Sequence, residues 1–185
     1  MKISILFLLI TVLLGCNTKQ SKNTTETEPE LWSVKFAETV MYTADSLMNY
    51  HSSRPNFGYD IAFLGDAIYK LKDIDPKYAA YLKNHVDYFV NDDGSIKRYK
   101  MSDYNIDNIR PGNSIITLYQ QYGDEKYRLG AETLVEQMKN HPRTNSGGFW
   151  HKKRYPYQMW LDGLYMASPF LTRYAKVFNQ PQWFD

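Results

Sequence analysis

The sequence has very little cysteine and no marked excess of either charge. Cys16 is the only cysteine in the 185 residues, which excludes an internal disulfide and a metal site made of several thiolates. Lysine and arginine number 22 against 20 aspartate and glutamate residues, so the formal net charge is only +2. A chain so nearly neutral has no general basic surface for nucleic acid. We therefore expect neither a disulfide scaffold nor a nucleic-acid partner.

Long apolar runs are also scarce, and the one clear example lies at the start of the chain. Residues 3–14 follow Lys2 and carry no charge, but they are too few to cross a bilayer as a helix and are typical of a secretory signal. They end in Leu-Leu-Gly-Cys at residues 13–16, which looks like a bacterial lipobox. The alternative is an ordinary signal peptide with an incidental cysteine.

The lipobox predicts a lipoprotein signal peptide over residues 1–15 and lipidation of Cys16. The membrane is then a partner through the lipid anchor. The protein would lie in the bacterial cell envelope, in the periplasm or at the outer-membrane surface. Residues 16–30 are polar and rich in Ser, Thr, Lys and Glu, which favours a flexible tether.

Helical periodicity dominates the rest of the chain. From Trp32 onward apolar residues recur every three or four positions, and no convincing run shows the period of two that is typical of a strand. The spacing and caps predict six helices: Trp32 to about Tyr50, one spanning Ile61 to Leu71, one starting at Pro76 with Asp75 as N-cap, one beginning near Pro111, one from Asp124 to about Asn140, and a last that carries Ala167 and Phe178. Two long loops are expected, one before Pro111 and one over residues 141–157.

A faint internal repeat accompanies the helices. Asp-Pro-Lys-Tyr at residues 75–78 and Asp-Glu-Lys-Tyr at residues 124–127 each open a helix, 49 residues apart. Helix pairs repeated at such a period form hairpins that bury their apolar faces only against one another. Six such hairpins closing into a ring would need about 300 residues. We therefore expect an all-α fold with about three of six hairpins, residues 31–185 being the N-terminal half of a larger domain.

The two long loops hold the candidate chemistry. Each ends in a carboxylate close to the next helix, Asp107 in the first loop and Asp162 in the second, and aromatic and basic residues surround both. Long structured loops in a helical body are commonly functional. Each aspartate could instead serve only as a helix cap.

Other loop residues also have a structural interpretation. Trp160 and Phe149 could belong to the core, whereas His141 and Arg143 are expected to brace their loop. His141 and His151 have no third ligand in view, so no metal and no other cofactor is expected.

Three strings in these loops resemble a known family. They are YNIDNIRPG at residues 104–112, HPRTNSGGFWHK at 141–152 and YPYQMWLDGLYMA at 155–167. They are similar to the unsaturated rhamnogalacturonyl hydrolases of glycoside hydrolase family 105 and to the related unsaturated glucuronyl hydrolases of family 88. The resemblance implies an (α/α)6 barrel without a metal and an unsaturated oligosaccharide, left by a polysaccharide lyase, as the substrate.

The resemblance also implies an unusual reaction. The enzyme hydrates the C4=C5 double bond of the terminal uronic acid, which departs from the usual schemes with paired carboxylates. By match to the strings, Asp162 donates the proton and then helps water to add, and Asp107 binds a sugar hydroxyl or the water. Trp160 would stack on the sugar ring, His151 would hydrogen-bond the substrate, and Tyr59 occupies the position of a family aromatic residue.

A different class of protein stays open as the alternative. A non-catalytic lipoprotein of helical repeats that captures glycans would explain the anchor, the tether, the helices and the aromatic residues equally well. It would leave unexplained the two aspartates at matching ends of successive hairpins. The resemblance further implies that residues from later hairpins hold the substrate carboxylate, so we expect the 185-residue chain to be inactive by itself. The identity of the unsaturated uronide and the oligomeric state stay open.

Overall fold

The computed structural model describes residues 31–50 and 57–184, and for residues 44–50 it describes the backbone only. The predicted signal peptide, the tether and the lipidation site at Cys16 lie outside the described residues. The chain divides into two units, of which Trp32–Asp185 is the second and contains the helices that the structure describes. Among the described residues we find no helix with the length and apolar character that a membrane span requires.

Six α-helices make up this unit. They are α1 (Trp32–Tyr50), α2 (Tyr59–Tyr69), α3 (Pro76–Phe89), α4 (Gly112–Tyr122), α5 (Glu125–Lys139) and α6 (Leu161–Val177). Short 3-10 helices cover Met101–Asp103, Ile106–Asn108 and Pro181–Trp183. Residues 31–50 and 57–184 contain no β-strand, only the isolated bridges Val90–Ile96 and Arg143–Phe149. The predicted all-α fold is confirmed.

Two helix boundaries illustrate how local sequence sets these elements. Asp75 is the N-cap of α3, as predicted, and its carboxylate accepts a hydrogen bond from the backbone N–H of Lys77 at 2.8 Å. Helix α2 ends at Tyr69 and not at Leu71, because the backbone there tightens: Leu71 N–H donates to the carbonyl of Ile68, three residues earlier.

The internal repeat is visible in side-chain contacts. The buried hydroxyl group of Tyr78 donates to Glu38 Oε1 at 2.7 Å, and that of Tyr127 donates to Asp87 Oδ1 at the same distance. Each tyrosine thus reaches a carboxylate 40 residues earlier in the chain. The lysine before each tyrosine also contacts that carboxylate, at 2.6 and 2.8 Å. Helices α1, α3 and α5 therefore occupy equivalent positions in successive hairpins.

Helix α4 lies at the centre of the packing that positions the site. It packs against α5, α6, α3 and α2. Gly112 permits the contact with α6, since a Cβ at this position would lie only 2.4 Å from ring carbons of the fully buried Phe170. The start of α4, just after the loop with Asp107, is therefore held close to α6, which carries Asp162.

Candidate active site

The two long loops meet, and backbone hydrogen bonds join them. The N–H of Ile106 in the first loop donates to the carbonyl of His151 in the second at 3.1 Å, and the N–H of Lys153 donates to the carbonyl of Asp103 at 3.2 Å. The N–H of His151 donates in turn to the carbonyl of Gln158 at 2.7 Å. The residues that carry the candidate chemistry therefore lie on one hydrogen-bonded platform.

The carboxylate of Asp107 lies at the centre of this platform. The backbone N–H of Asp107 donates to the side chain of Asn105, which caps the 3-10 helix Ile106–Asn108. Its Oδ2 is 2.6 Å from the ammonium group of Lys152, and its Oδ1 is 3.5 Å from Nε2 of His151. Only 13% of the Asp107 side chain is exposed. Oδ1 is buried and has no hydrogen-bond partner among the described residues, so its capacity to accept a hydrogen bond is unused.

His151 is buried next to this carboxylate. Burial lowers the pKa of His151, against the opposing effects of Asp107 and Asp162, so the neutral imidazole is favoured near neutral pH. Its Nδ1 is buried and has no hydrogen-bond partner in the described part of the chain. A neutral imidazole offers one donor and one acceptor, so the ring has hydrogen-bonding capacity at Nδ1 that is unused.

Asp162 joins the group from a separate element. It lies in the first turn of α6 and is exposed. The side chains of Asp107, His151 and Asp162 each offer one ligand atom, and these three atoms lie within 4.8 Å of one another. We call Asp107, His151, Lys152 and Asp162 the Asp107 cluster. It presents an exposed carboxylate beside a mostly buried one.

The contacts of the two aspartates contradict the capping interpretation. The N-cap of α6 is Trp160, and Asp162 lies inside the helix. The N-cap of α4 is Pro111, with no side-chain capping bond, while the carboxylate of Asp107 contacts His151 and Lys152 instead. The alternative, that either aspartate serves only as a helix cap, is therefore contradicted.

Aromatic rings form one wall of the site. Trp160 stacks on His151 with centroids 4.0 Å apart and on Tyr155 with centroids 5.3 Å apart. Its Nε1 donates to Gln158 Oε1 at 3.0 Å, and 40% of Trp160 is exposed. Trp160 is therefore not a core residue, whereas Phe149 is partly buried and packs against the core. The exposed part of the indole is available to a ligand.

Tyr59 lies at the start of α2, and 43% of it is exposed. Within the described ranges, no hydrogen bond or ring contact joins it to the Asp107 cluster. His141 and Arg143 brace the second loop, as predicted. The ring Nε2 of His141 bonds the carbonyl oxygen of Trp150 at 2.8 Å, and the guanidinium group of Arg143 donates to the carbonyl of Gly147 at 2.7 Å.

The sequence analysis missed Lys152 and a second polar group built on Arg110. Arg110 is buried, donates to Asp66 at 2.7 Å and to the hydroxyl of Tyr165 at 3.3 Å, and Asp66 also accepts from Ser114. This group links the starts of α4 and α6 to α2. Lys152 directly follows His151 in the sequence, but its contact with Asp107 arises only when the loops fold together.

Asp107, His151 and Asp162 are also residue types that bind divalent cations. The ammonium group of Lys152 already supplies a positive charge at Asp107 Oδ2 and would repel a cation bound there. The arrangement suits proton transfer and hydrogen bonding to a hydroxylated ligand without a metal.

The successive helical hairpins match part of the helical barrel of a glycoside hydrolase. The sequence model of Glycosyl Hydrolase Family 88 matches residues 32–185, and the chain belongs to that family. A solved structure of a glycoside hydrolase from family 105, from C. acetobutylicum ATCC 824, is similar, with a TM-score of 0.75 and 38% sequence identity. The match covers 83% of this chain and 42% of that protein, so the chain spans about two fifths of its length.

Proposed function

We propose that the complete protein is a glycoside hydrolase that removes the terminal 4,5-unsaturated uronic acid from oligosaccharides made by polysaccharide lyases, such as rhamnogalacturonan products. Membership of family 88 supports a glycosidase. The observation that carries the proposal is the Asp107 cluster, in which an exposed and a mostly buried carboxylate meet at the buried imidazole of His151.

The proposed reaction begins with a proton transfer. Asp162, in its acid form, donates a proton to C4 of the double bond. The π electrons form the new C4–H bond, which leaves a positive charge shared by C5 and the ring oxygen. Water adds to C5 and returns a proton to Asp162. The hemiketal at C5 opens to a ketone and leaves a hemiacetal at C1. The hemiacetal collapses to an aldehyde, and the glycosidic oxygen takes up a proton and leaves with the remaining sugar.

The other members of the cluster have binding roles in this scheme. Asp107 accepts a hydrogen bond from a sugar hydroxyl or from the water, while Lys152 keeps Oδ2 engaged. His151 hydrogen-bonds the substrate, and Trp160 presents its exposed edge and face to the sugar ring. Tyr59 would contact the sugar from α2.

The test follows the ultraviolet absorbance of the conjugated double bond in a lyase-treated rhamnogalacturonan digest. The protein is expressed from its complete reading frame, and Asp162→Asn is compared with Asp92→Asn, an exposed aspartate in the turn after α3. We expect the wild type and Asp92→Asn to consume the double bond and Asp162→Asn to fail. Retained activity in Asp162→Asn would refute its role. Glycan binding without turnover in the wild type would instead favour a capture protein.

We also propose that the 185-residue chain has no turnover by itself. Several large apolar side chains of α2 and α6 are exposed in it, including Phe63 (50%) and Leu164 (52%). The assay above, run with the 185-residue chain and with the product of the complete reading frame, compares the two directly. Equal activity would contradict this proposal.

For localisation, we propose a lipid anchor on Cys16. Cys16→Ser should move the protein from the membrane fraction to the soluble fraction. An unchanged distribution would refute the anchor.

A further inference from the structure

A basic cleft opens beside the Asp107 cluster, between the same two loops. It has a volume of about 530 Å³ and is lined by Lys100, Ser102, Asp103, Asn105, Lys152, Lys153 and Arg154. That volume lies within the range of small-ligand sites. The hydrogen bond from Lys153 N–H to the Asp103 carbonyl holds its two walls together.

The cleft carries an excess of positive charge that its own residues do not balance. Four of its lining side chains are cationic, and Asp103 is the only carboxylate among them. Lys100 lies 3.4 Å from Asp103, and Lys152 pairs with Asp107 outside the lining, which leaves Lys153 and Arg154 as the excess. The excess is local, because the whole chain has a net charge of only +2.

Aromatic rings position two of these cations without neutralising them. The ammonium group of Lys153 lies 5.8 Å from the centre of the Tyr104 ring, and the guanidinium group of Arg154 lies 4.8 Å from that of Tyr155. Within residues 31–50 and 57–184, neither cation has a carboxylate in ion-pair contact. Most basic residues on the helices differ: Lys83, Lys126 and Lys139, for example, each pair with a carboxylate.

The cleft adjoins the Asp107 cluster through Lys152. Lys152 lines the cleft and also contacts Asp107 at 2.6 Å. Tyr155, the ring next to Arg154, stacks on Trp160, which in turn stacks on His151. An oligosaccharide bound at the Asp107 cluster therefore has a positively charged recess next to it.

We propose that this basic cleft binds a second acidic group of the oligosaccharide, a carboxylate or a sulfate ester on a sugar beyond the one that is removed. The inference rests on the proposed function, which it extends to the choice of substrate. Lys153 and Arg154 are the specificity-determining residues, and they select acidic over neutral leaving sugars.

The experiment compares three unsaturated disaccharides with the protein from the complete reading frame. The leaving sugar is neutral in the first, a uronate in the second and a sulfated sugar in the third. The variant Lys153→Gln/Arg154→Gln removes two charges. The matched control is Lys176→Gln, an exposed lysine about 21 Å along α6 from Asp162 at 1.5 Å per residue.

In the double variant we expect KM for at least one acidic substrate to rise by about tenfold, the loss typical of a charge-assisted hydrogen bond, with kcat little changed. KM for the neutral substrate should stay within about twofold, and Lys176→Gln should match the wild type with all three. Added salt should raise the wild-type KM for the acidic substrate more than that of the double variant. The uronate and sulfate arms show which acidic group the cleft takes.

Two results would overturn the inference. An equal rise in KM for neutral and acidic substrates would mean that the cleft holds the carboxylate of the reacting uronate or only shapes the loops. No change for any substrate would mean that the cleft binds no part of it.

A wild type that cleaves none of the substrates would refute the proposed function. Calorimetry then tests the cleft by measuring the affinity of the protein for two probes. Saturated digalacturonate should bind more tightly than the neutral galactose disaccharide, and the double variant should lose that preference. Equal affinity for both probes in the wild type would refute the cleft as well.

Discussion

Replacing Gly112 by alanine tests whether the close contact between α4 and α6 sets the geometry of the Asp107 cluster. The new Cβ would lie 2.4 Å from Cδ2 and Cε2 of Phe170 and 3.0 Å from Cδ1 of Leu134. Ordinary contact begins at 3.4 Å, so the ring or the helix must move by about 1 Å. Phe170 and Leu134 are fully buried, and the move meets other packed atoms.

The expected magnitude follows from that displacement. Overpacking of this kind costs about 1–3 kcal/mol in the free energy of unfolding. Gly112 lies five residues after Asp107, and Phe170 lies eight residues after Asp162, so a shift between the helices also moves one carboxylate relative to the other. A misplacement of about 1 Å reduces catalysis by up to about a hundredfold, and we expect kcat/KM to fall between about tenfold and a hundredfold.

Urea unfolding and the double-bond assay measure the two effects. Gly123→Ala is the matched control, because its Cβ would meet nothing within 4 Å although φ is +70°. It should cost about 1–2 kcal/mol of stability through backbone strain and leave kcat/KM unchanged. Adding Phe170→Leu to Gly112→Ala should recover part of the loss. Two results would refute the reasoning. The double variant could lose as much stability as the two single variants together, or Gly112→Ala could be as stable as the wild type.

Three further substitutions test a buried histidine, a mostly buried ion pair and a helix cap. Burial lowers the pKa of His85 to about 4, so below pH 6.5 the unfolded chain binds a proton that the folded chain does not, and stability falls as the pH falls. His85→Gln should therefore lose about 2 kcal/mol less than the wild type between pH 7 and pH 5 in urea titrations, and equal losses would contradict this. Lys152→Met leaves the mostly buried Asp107 without its ion-pair partner. The substitution should lower the free energy of unfolding by about 2 kcal/mol and kcat/KM by at least about tenfold. A variant with the stability and the kcat/KM of the wild type would show that the contact contributes to neither. Asp75→Ala removes the N-cap of α3 and should cost about 1 kcal/mol of unfolding free energy with kcat/KM unchanged. A stability within about 0.3 kcal/mol of the wild type would show that the cap contributes little.

The helices could be predicted from the sequence because their causes are local. Apolar spacing located all six, and Asp75 before Pro76 identified the start of α3. The 49-residue repeat predicted equivalent hairpins. The contact of each repeat tyrosine with a carboxylate 40 residues earlier could not be foreseen, because Glu38 and Asp87 carry no local signal of that contact.

The family strings identified Asp107, His151 and Asp162 as candidates, and their proximity agrees with that identification. Their roles in the reaction stay predictions. The packing of the loops decides which partners these side chains have: Lys152 on Asp107, and His151 against the face of Trp160. The capping interpretation was wrong for the same reason, since each carboxylate was judged only by its neighbours along the chain.

The sequence by itself determined the helical class, the repeat and the residues that carry the candidate chemistry, because periodicity, capping and motif spacing act over a few neighbouring residues. Only the tertiary structure decided which charges are neutralised and which are left to a ligand. Asp107 and Lys152 are 45 positions apart, and Arg110 and Asp66 are 44 apart. Such pairs form only when helices pack and loops close, since burial and distance are properties of the folded chain.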